Sequence, residues 1–469
     1  MSRPSRRNFF KAAAAAAAGT IVLPIDAAAS SISGHVSRAA GTMYAEEHGW
    51  ARVPSILARI KPPTFRARNY PVTRHGAKGD GVTDCTVAFR RAIGACSAAG
   101  GGRVLVEGGT FLTGPIHLRS NVDLHVAEGA TIAFVSDPKA YLPLVLTRFE
   151  GMEMMGLSPF IYARDARNVA ITGKGTLDGR SGSEHWWPWN GNARYGWKPG
   201  EGNQRAARAQ LFQLAEQGAS VSSRRFGIES FLRPPFIQPY HCRNVLIEGV
   251  TIRNSPMWEI NPVLCTNVTV RDVTIDSHGP NNDGCDPESC KDVLIERCHF
   301  DTGDDCIAIK SGRNADGRRI AVPSEDIIVR DCEMKDGHGG VTIGSEISGG
   351  VRHVYAERNT MDSPNLDRAL RLKNNAMRGG TLEHIYMRDV TVGQLADAVL
   401  QIDFLYEEGA NGPFPPVVRD VELLRVTSKK SNYALYLRGF EKAVIDDIRV
   451  IDCNFDSVAK PDVIDHVTG

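Results

Sequence analysis

Apolar positions in this chain come in short runs separated by glycine, asparagine and aspartate, and only twice at helical spacing. Ala88, Phe89, Ala92, Ile93 and Cys96 recur three and four residues apart, which predicts one amphipathic helix. Its expected role is to cap the open end of a repetitive body. A second short helix is expected within 205–217. Elsewhere the runs last four to six residues: 103–106, 116–118, 122–126 and 168–171 read as strands. From residue 244 the pattern becomes a repeat. Asn244, Asn267, Asp292, Asp326, His353, His384 and Asp420 each open an apolar run such as Val245-Leu246-Ile247, and successive starts lie 23, 25, 34, 27, 31 and 36 residues apart. A unit of about two dozen residues with variable insertions, and no amphipathic helix between strands, predicts an all-β parallel β-helix rather than a sheet with helical crossovers.

The repeat fixes which side chains share a face. Ile307 and Ile309 align with Val341 and Ile343, and these with Leu370 and Leu372. Period-two alternation then points Ala308, Thr342 and Arg371 outward together, and likewise Lys310, Gly344 and Lys373. Asp283 precedes Asp305 by 22 residues, one coil without insertion, and His338 falls level with Asp304. Three carboxylates, an imidazole and two cations are thereby expected on one outer face within roughly 15 Å. Crowded carboxyls repel, so at least one should hold its proton. A protonated acid beside an ionised base is what glycosidic hydrolysis requires. Arg371 and Lys373 are expected to neutralise a substrate carboxylate, and His338 to tune the proton balance. Asp304, sharing its phase with His338, is the expected acid.

Outside the repeat, 186–225 interrupts the pattern with Trp186, Trp187, Trp189 and Trp197, a long inserted loop whose tryptophans suit either packing or stacking on sugar faces. Residues 30–66 read as an irregular linker marked by Pro62 and Pro63, leading into a body over 67–469. Residues 1–29 carry Ser5-Arg6-Arg7-Asn8-Phe9-Phe10-Lys11 before an alanine-rich stretch too short to span a bilayer, the pattern of a twin-arginine export signal. A soluble periplasmic or secreted protein, off the membrane after export and monomeric, is expected. Its 55 basic and 54 acidic residues balance, so no global field favours nucleic acid. Ten cysteines without CxxC pairs read as small buried hydrophobes rather than metal ligands.

From about residue 69 to 450 the chain resembles the polygalacturonase family of glycoside hydrolases. The likeness rests on Asn281-Asn282-Asp283, where the family has Asn-Thr-Asp; on Asp304-Asp305; on Gly337-His338-Gly339; and on Arg371-Leu372-Lys373, where the family has Arg-Ile-Lys. The resemblance implies a right-handed β-helix and single-displacement hydrolysis of a galacturonic-acid-containing polysaccharide with inversion. Asp304 would protonate the leaving oxygen, Asp283 and Asp305 would activate water, and Asn281, His338, Arg371, Lys373 and Tyr406 would contact substrate. No metal or cofactor is implied. The general rule for inversion then predicts acid and base carboxyls about 6.5–9.5 Å apart. Rhamnogalacturonan or a decorated galacturonan is the alternative substrate. A calcium-dependent lyase using Lys310 or Arg371 as base and a non-catalytic carbohydrate-binding solenoid are the alternative activities.

Overall fold

The computed structural model describes residues 49–469, so the expected export signal lies outside the described residues. Parallel strands stack into a right-handed β-helix with three faces: a 13-stranded sheet, a 12-stranded sheet, and a third face made of three-stranded and six-stranded sheets. Single parallel bridges from Ile237 to Ile260, Cys285 and Ile307 join the two parts of that third face. The expected strands appear as Gly102–Val106, Ile116–Leu118, Val122–Val126 and Arg167–Gly173. A helix at Thr86–Ala98 buries the five apolar residues that predicted it. The inserted helix runs over Arg205–Glu216.

The polar residue that opens each repeat has a backbone reason. Asn168, Asn244, Asn267, Asp292, Asp326, His353, His384 and Asp420 all have φ between 53° and 60°. These are left-handed corners, where Asn, Asp and His are the least strained residues after glycine. The corner is skipped by the ladder: Arg243 pairs with Thr266 and Val245 with Val268, leaving Asn244 and Asn267 to turn the chain. Asparagine side chains bond from coil to coil, Asn244 Nδ2 donating to Asn168 Oδ1 at 2.8 Å and Asn267 Nδ2 to Asn244 Oδ1 at 2.9 Å.

The same ladder corrects the reading of 30–66 as an irregular linker, because within its described part Val53–Arg59 is helical. Asp292 and Asp326 end the amide ladder in carboxylates, and Arg59 bridges both at 2.6 and 2.8 Å while Arg52 pairs with Asp326 at 3.1 Å. Trp50, Val53 and Ile56 bury themselves on Leu294, Ile328, Tyr355 and Tyr386 of the 13-stranded sheet. That segment is a strap, and its partners are long-range, which local periodicity does not report. The 186–225 tryptophans mostly pack. Trp186 is buried against Tyr141 and Phe160, Trp189 stacks edge-on against Trp186 and Phe231, and Trp187 donates Nε1–H to the Ser255 carbonyl. All ten cysteines are free thiols, nine of them buried. Among the described residues no helix is long and apolar enough to cross a membrane.

Candidate active site

The third face carries the chemistry. Its register matches the sequence alignment residue for residue: Ala308 pairs with Thr342 and Thr342 with Arg371. One coil earlier, Cys285 pairs with Ile307, and Gly284 N–H donates to the Asp305 carbonyl, so Asp283 stands level with Asp305. His338 N–H donates to the Asp304 carbonyl. One carboxylate oxygen from each of Asp283, Asp304 and Asp305 lies within 4.8 Å of the other two.

Each carboxylate has its own surroundings. Asp305 is fully buried and accepts from Lys373 Nζ at 2.6 Å, Thr342 Oγ1 at 2.9 Å and Arg371 Nη1 at 3.3 Å. Gly339 makes this possible, since a Cβ there would lie 2.3 Å from Thr342 Oγ1. Burial pushes the Asp305 carboxyl up, but the two cations outweigh it and hold it well below the usual carboxylate range. Asp304 is the most exposed of the three and bonds His338 Nδ1 at 3.0 Å through Oδ1. Burial raises its proton affinity, and the His338 imidazolium more than reverses this. Asp283 is buried, its Oδ2 3.6 Å from Lys310 Nζ and its Oδ1 without a hydrogen-bond partner among the described residues. Burial and the nearby Asp286 and Asp304 push its pKa well above the usual value. Of the three, Asp283 is therefore the carboxyl whose proton affinity is raised, whereas that of Asp304 is lowered. Desolvation without a close donor explains the difference.

Asp304 in turn raises the His338 pKa to about 9 from 6.5. A raised pKa means that the imidazolium stabilises the fold fully below about pH 6.5 and that this contribution is lost as pH rises through about 9. Wild type should exceed His338→Gln in melting temperature at about pH 6, with the gap closing by about pH 10. A gap that widens with pH would reject this pairing.

The turn that presents Asp283 is tied from below. Asn282, fully buried, accepts from Ser277 Oγ and Gly279 N–H and donates to the Ser255 and Met257 carbonyls. Threonine could not make the same set of bonds, which accounts for the departure at the middle of the motif. Asn281, at φ 55°, is held by the buried Arg233 through a 2.7 Å bond to its Oδ1. Tyr406, which the resemblance placed at the site, has its ring centre 5.8 Å from Arg371 and 5.6 Å from Lys373.

Two expectations change. Arg371 and Lys373 are committed to Asp305 before any substrate arrives. At their nearest oxygens the carboxylates lie within 4.8 Å of one another, inside the 6.5–9.5 Å of the general rule, because two of the residues are adjacent and the third is one strand spacing away. The stereochemical outcome therefore does not follow from that separation.

Residues that sequence reasoning did not assign to the site complete it. Lys310 lies 3.2 Å from Glu346 and 3.9 Å from Asp286, with its ammonium 4.5 Å from the centre of the Trp258 ring. Glu150, Arg208, Arg313 and Glu407 line the same cavity as Asp283, Asp304 and Tyr406. The phase of Lys310 with Lys373 was legible in the repeat, and Asp286 is three residues from Asp283. Glu150 and Arg208 sit in insertions without repeat phase, so nothing in the sequence pointed to them.

The sequence profile described as Glycosyl hydrolases family 28 matches residues 228–468, just over half the chain. The chain is 28% identical over 339 residues to a probable polygalacturonase of Vitis vinifera, covering 70% of this chain and 61% of the other. It is 27% identical over 359 residues to an exo-poly-alpha-D-galacturonosidase of Dickeya chrysanthemi, covering 72% and 57%. It thus spans about three fifths of the length of these curated relatives. A solved hyperthermoactive exopolygalacturonase from Thermotoga maritima is 48% identical, with a TM-score of 0.88 over 90% of this chain and 94% of that one. With its profile match and this likeness along nearly the whole body, the chain belongs to family 28 of the glycosyl hydrolases.

Proposed function

We propose that this protein hydrolyses α-1,4-galacturonosidic bonds in polygalacturonate. The observation that carries the reading is the three-carboxylate cluster with its unequal partners, His338 on Asp304 and two cations on Asp305. Asp304, exposed enough to meet a leaving oxygen, is the acid. Asp283 and Asp305, level on neighbouring coils, hold the water between them. A bound galacturonan adds its own carboxylates and excludes solvent, and both effects raise the proton affinity of Asp304 for its task. A proton in so tight a cluster belongs to the set, so the raised proton affinity of Asp283 is no obstacle. Inversion at the anomeric carbon is part of the proposal, by analogy with the family. The names of the grape, Dickeya and Thermotoga relatives support galacturonan as substrate.

Lyase chemistry is disfavoured by the cations themselves. Lys310 is surrounded by Asp283, Asp286 and Glu346. Burial lowers its proton affinity, but these carboxylates raise it further and leave it well above the usual lysine value, so it is a poor base. The twin-arginine pattern at 5–11 supports export to the periplasm or beyond, and the protein is proposed to act there as a monomer. Incubation with polygalacturonate tests the reading: reducing ends should appear without ultraviolet-absorbing unsaturated products, and the first anomer seen by NMR should be inverted. Unsaturated products, or release from rhamnogalacturonan alone, would overturn it.

A further inference from the structure

The 186–225 insertion has two parts. Its helix Arg205–Glu216 packs Leu211 and Ala215 onto Phe149, Met152 and Met154 of the antiparallel hairpin Val145–Phe149 and Met152–Gly156. The stretch before the helix, together with Phe231, closes around a cavity of about 380 Å³ that shares no lining residue with the catalytic cavity. That volume lies within the range of small-molecule sites, about 300–1,000 Å³. Its walls are aromatic and its rim is charged. Trp186, Trp189 and Phe231 line the inside, with Trp189 meeting the other two rings edge-on at 4.9 and 5.3 Å. Trp186 is buried, whereas Trp189 and Phe231 are half-buried and keep ring surface for a guest. Glu184, Lys198 and Glu201, all exposed, join them at the rim.

The backbone is strained where it presents two of these rings. Trp186 has φ 62° and ψ −51° within a three-residue turn closed by the Trp187 N–H on the His185 carbonyl at 2.7 Å, and Phe231 has φ 55°. Bulky side chains rarely occupy such conformations, which persist where the surrounding structure holds a site in place. Gly202 allows the closure, because a Cβ there would collide with the Phe231 ring. The pocket also adjoins the catalytic turn. The Trp189 carbonyl accepts from Gln204 N–H at 2.8 Å, Gln204 Oε1 accepts from Arg233 Nε at 3.2 Å, and Arg233 holds Asn281. Asn190, next to Trp189, lies 3.5 Å from Asn281 Oδ1 through its Nδ2.

An aromatic wall takes the flat C–H face of a pyranose, and carboxylates and an ammonium bond its hydroxyls. With two carboxylates against one ammonium the rim is net negative, so a sugar that brings its own carboxylate is repelled. We propose that this pocket binds a neutral hexopyranose, carried as a side chain by a galacturonan whose backbone lies in the catalytic groove. Trp189 and Phe231 stack on the ring, Glu184 and Glu201 accept from its hydroxyls, and Lys198 donates to them. The pocket thereby recruits decorated galacturonan in preference to the bare polymer. Recruitment rests on the hydrolase reading above, whereas sugar binding does not.

Two matched ligands isolate the charge: methyl β-galactopyranoside and methyl β-galactopyranosiduronate share a ring and its stereochemistry and differ only at C6. Titrated into the full-length protein and followed by NMR, the galactoside should bind about three- to tenfold more weakly to Trp189→Ala than to wild type, while the affinity of the galacturonide is the same for both. An unchanged galactoside affinity, or an equal loss for both ligands, would overturn the proposal. Should Trp189→Ala not fold, the exposed rim answers the same question. Glu184→Gln with Glu201→Gln should weaken the galactoside about fivefold and leave the galacturonide no weaker. Weakening of both ligands or of neither would reject the pocket. In turnover by wild type, saturating methyl β-galactopyranoside should raise KM at least about threefold for a galacturonan bearing galactose side chains and leave KM for polygalacturonate unchanged. Equal effects on the two polymers, or none, would reject recruitment. Failure to hydrolyse either polymer would sink the hydrolase reading and leave the binding result standing.

Discussion

Asp304→Asn should lower kcat on polygalacturonate by about 10³-fold, and a galacturonide whose leaving group needs no proton should recover most of that loss. The expectation follows from the unequal surroundings of the three carboxylates. Asp304 is partly exposed, lines the cavity and is bonded by a half-exposed imidazole, whereas Asp305 is locked by Lys373, Thr342 and Arg371. Asp283→Asn and Asp305→Asn should be as damaging on the polymer and should not be rescued, since water activation is needed whatever the leaving group. Steady-state kinetics of the three variants on both substrates decide the matter. Rescue of Asp283→Asn in place of Asp304→Asn would exchange their roles, a pointed test given that burial and neighbouring carboxylates raise the proton affinity of Asp283 in the free site.

The second large effect concerns Lys310. Its ammonium sits among Asp283, Asp286 and Glu346 at 3.6, 3.9 and 3.2 Å and is almost wholly buried. Removing one partner of a buried ionic cluster costs about 3–5 kcal/mol, because the remaining charges are left unsolvated. Lys310→Met should lose that much stability and nearly all activity. Its pH dependence has a definite sign. Burial raises the Asp283 and Asp286 pKa values above their unfolded values, so ionising them opposes folding as pH rises, and without the lysine that opposition grows. The deficit relative to wild type should be smaller at about pH 4.5 than at about pH 7 by chemical denaturation. A deficit that shrinks with rising pH would mean that Lys310 does not serve to relieve carboxylate crowding.

Most of the machinery in the repeats was legible because a β-helix converts sequence spacing into spatial phase. Ile307, Val341 and Leu370 stack inward, so Arg371 and Lys373 must project to the face that holds Asp283 and Asp305. The left-handed corners explain even the choice of Asn, Asp and His at the repeat starts. Phase does not report ion-pair choice, however. Arg371 and Lys373 looked ready for a substrate carboxylate, and their commitment to Asp305 became visible only with side chains in place. The 186–225 tryptophans, equally ambiguous, turned out largely to fill the body's own surface.

By itself the sequence determined the coil, its capping helix and the meeting of three aspartates with His338, since each depends on a period of two residues or of one turn. The tertiary structure alone decided what lies between the coils' insertions: the strap of Trp50 and Arg59 on the corner ladder, and the hairpin and helix that bring Glu150 and Arg208 together from 58 residues apart. Such contacts join segments with no common phase, and their partners are selected by burial and charge complementarity in the folded state rather than by any pattern along the chain.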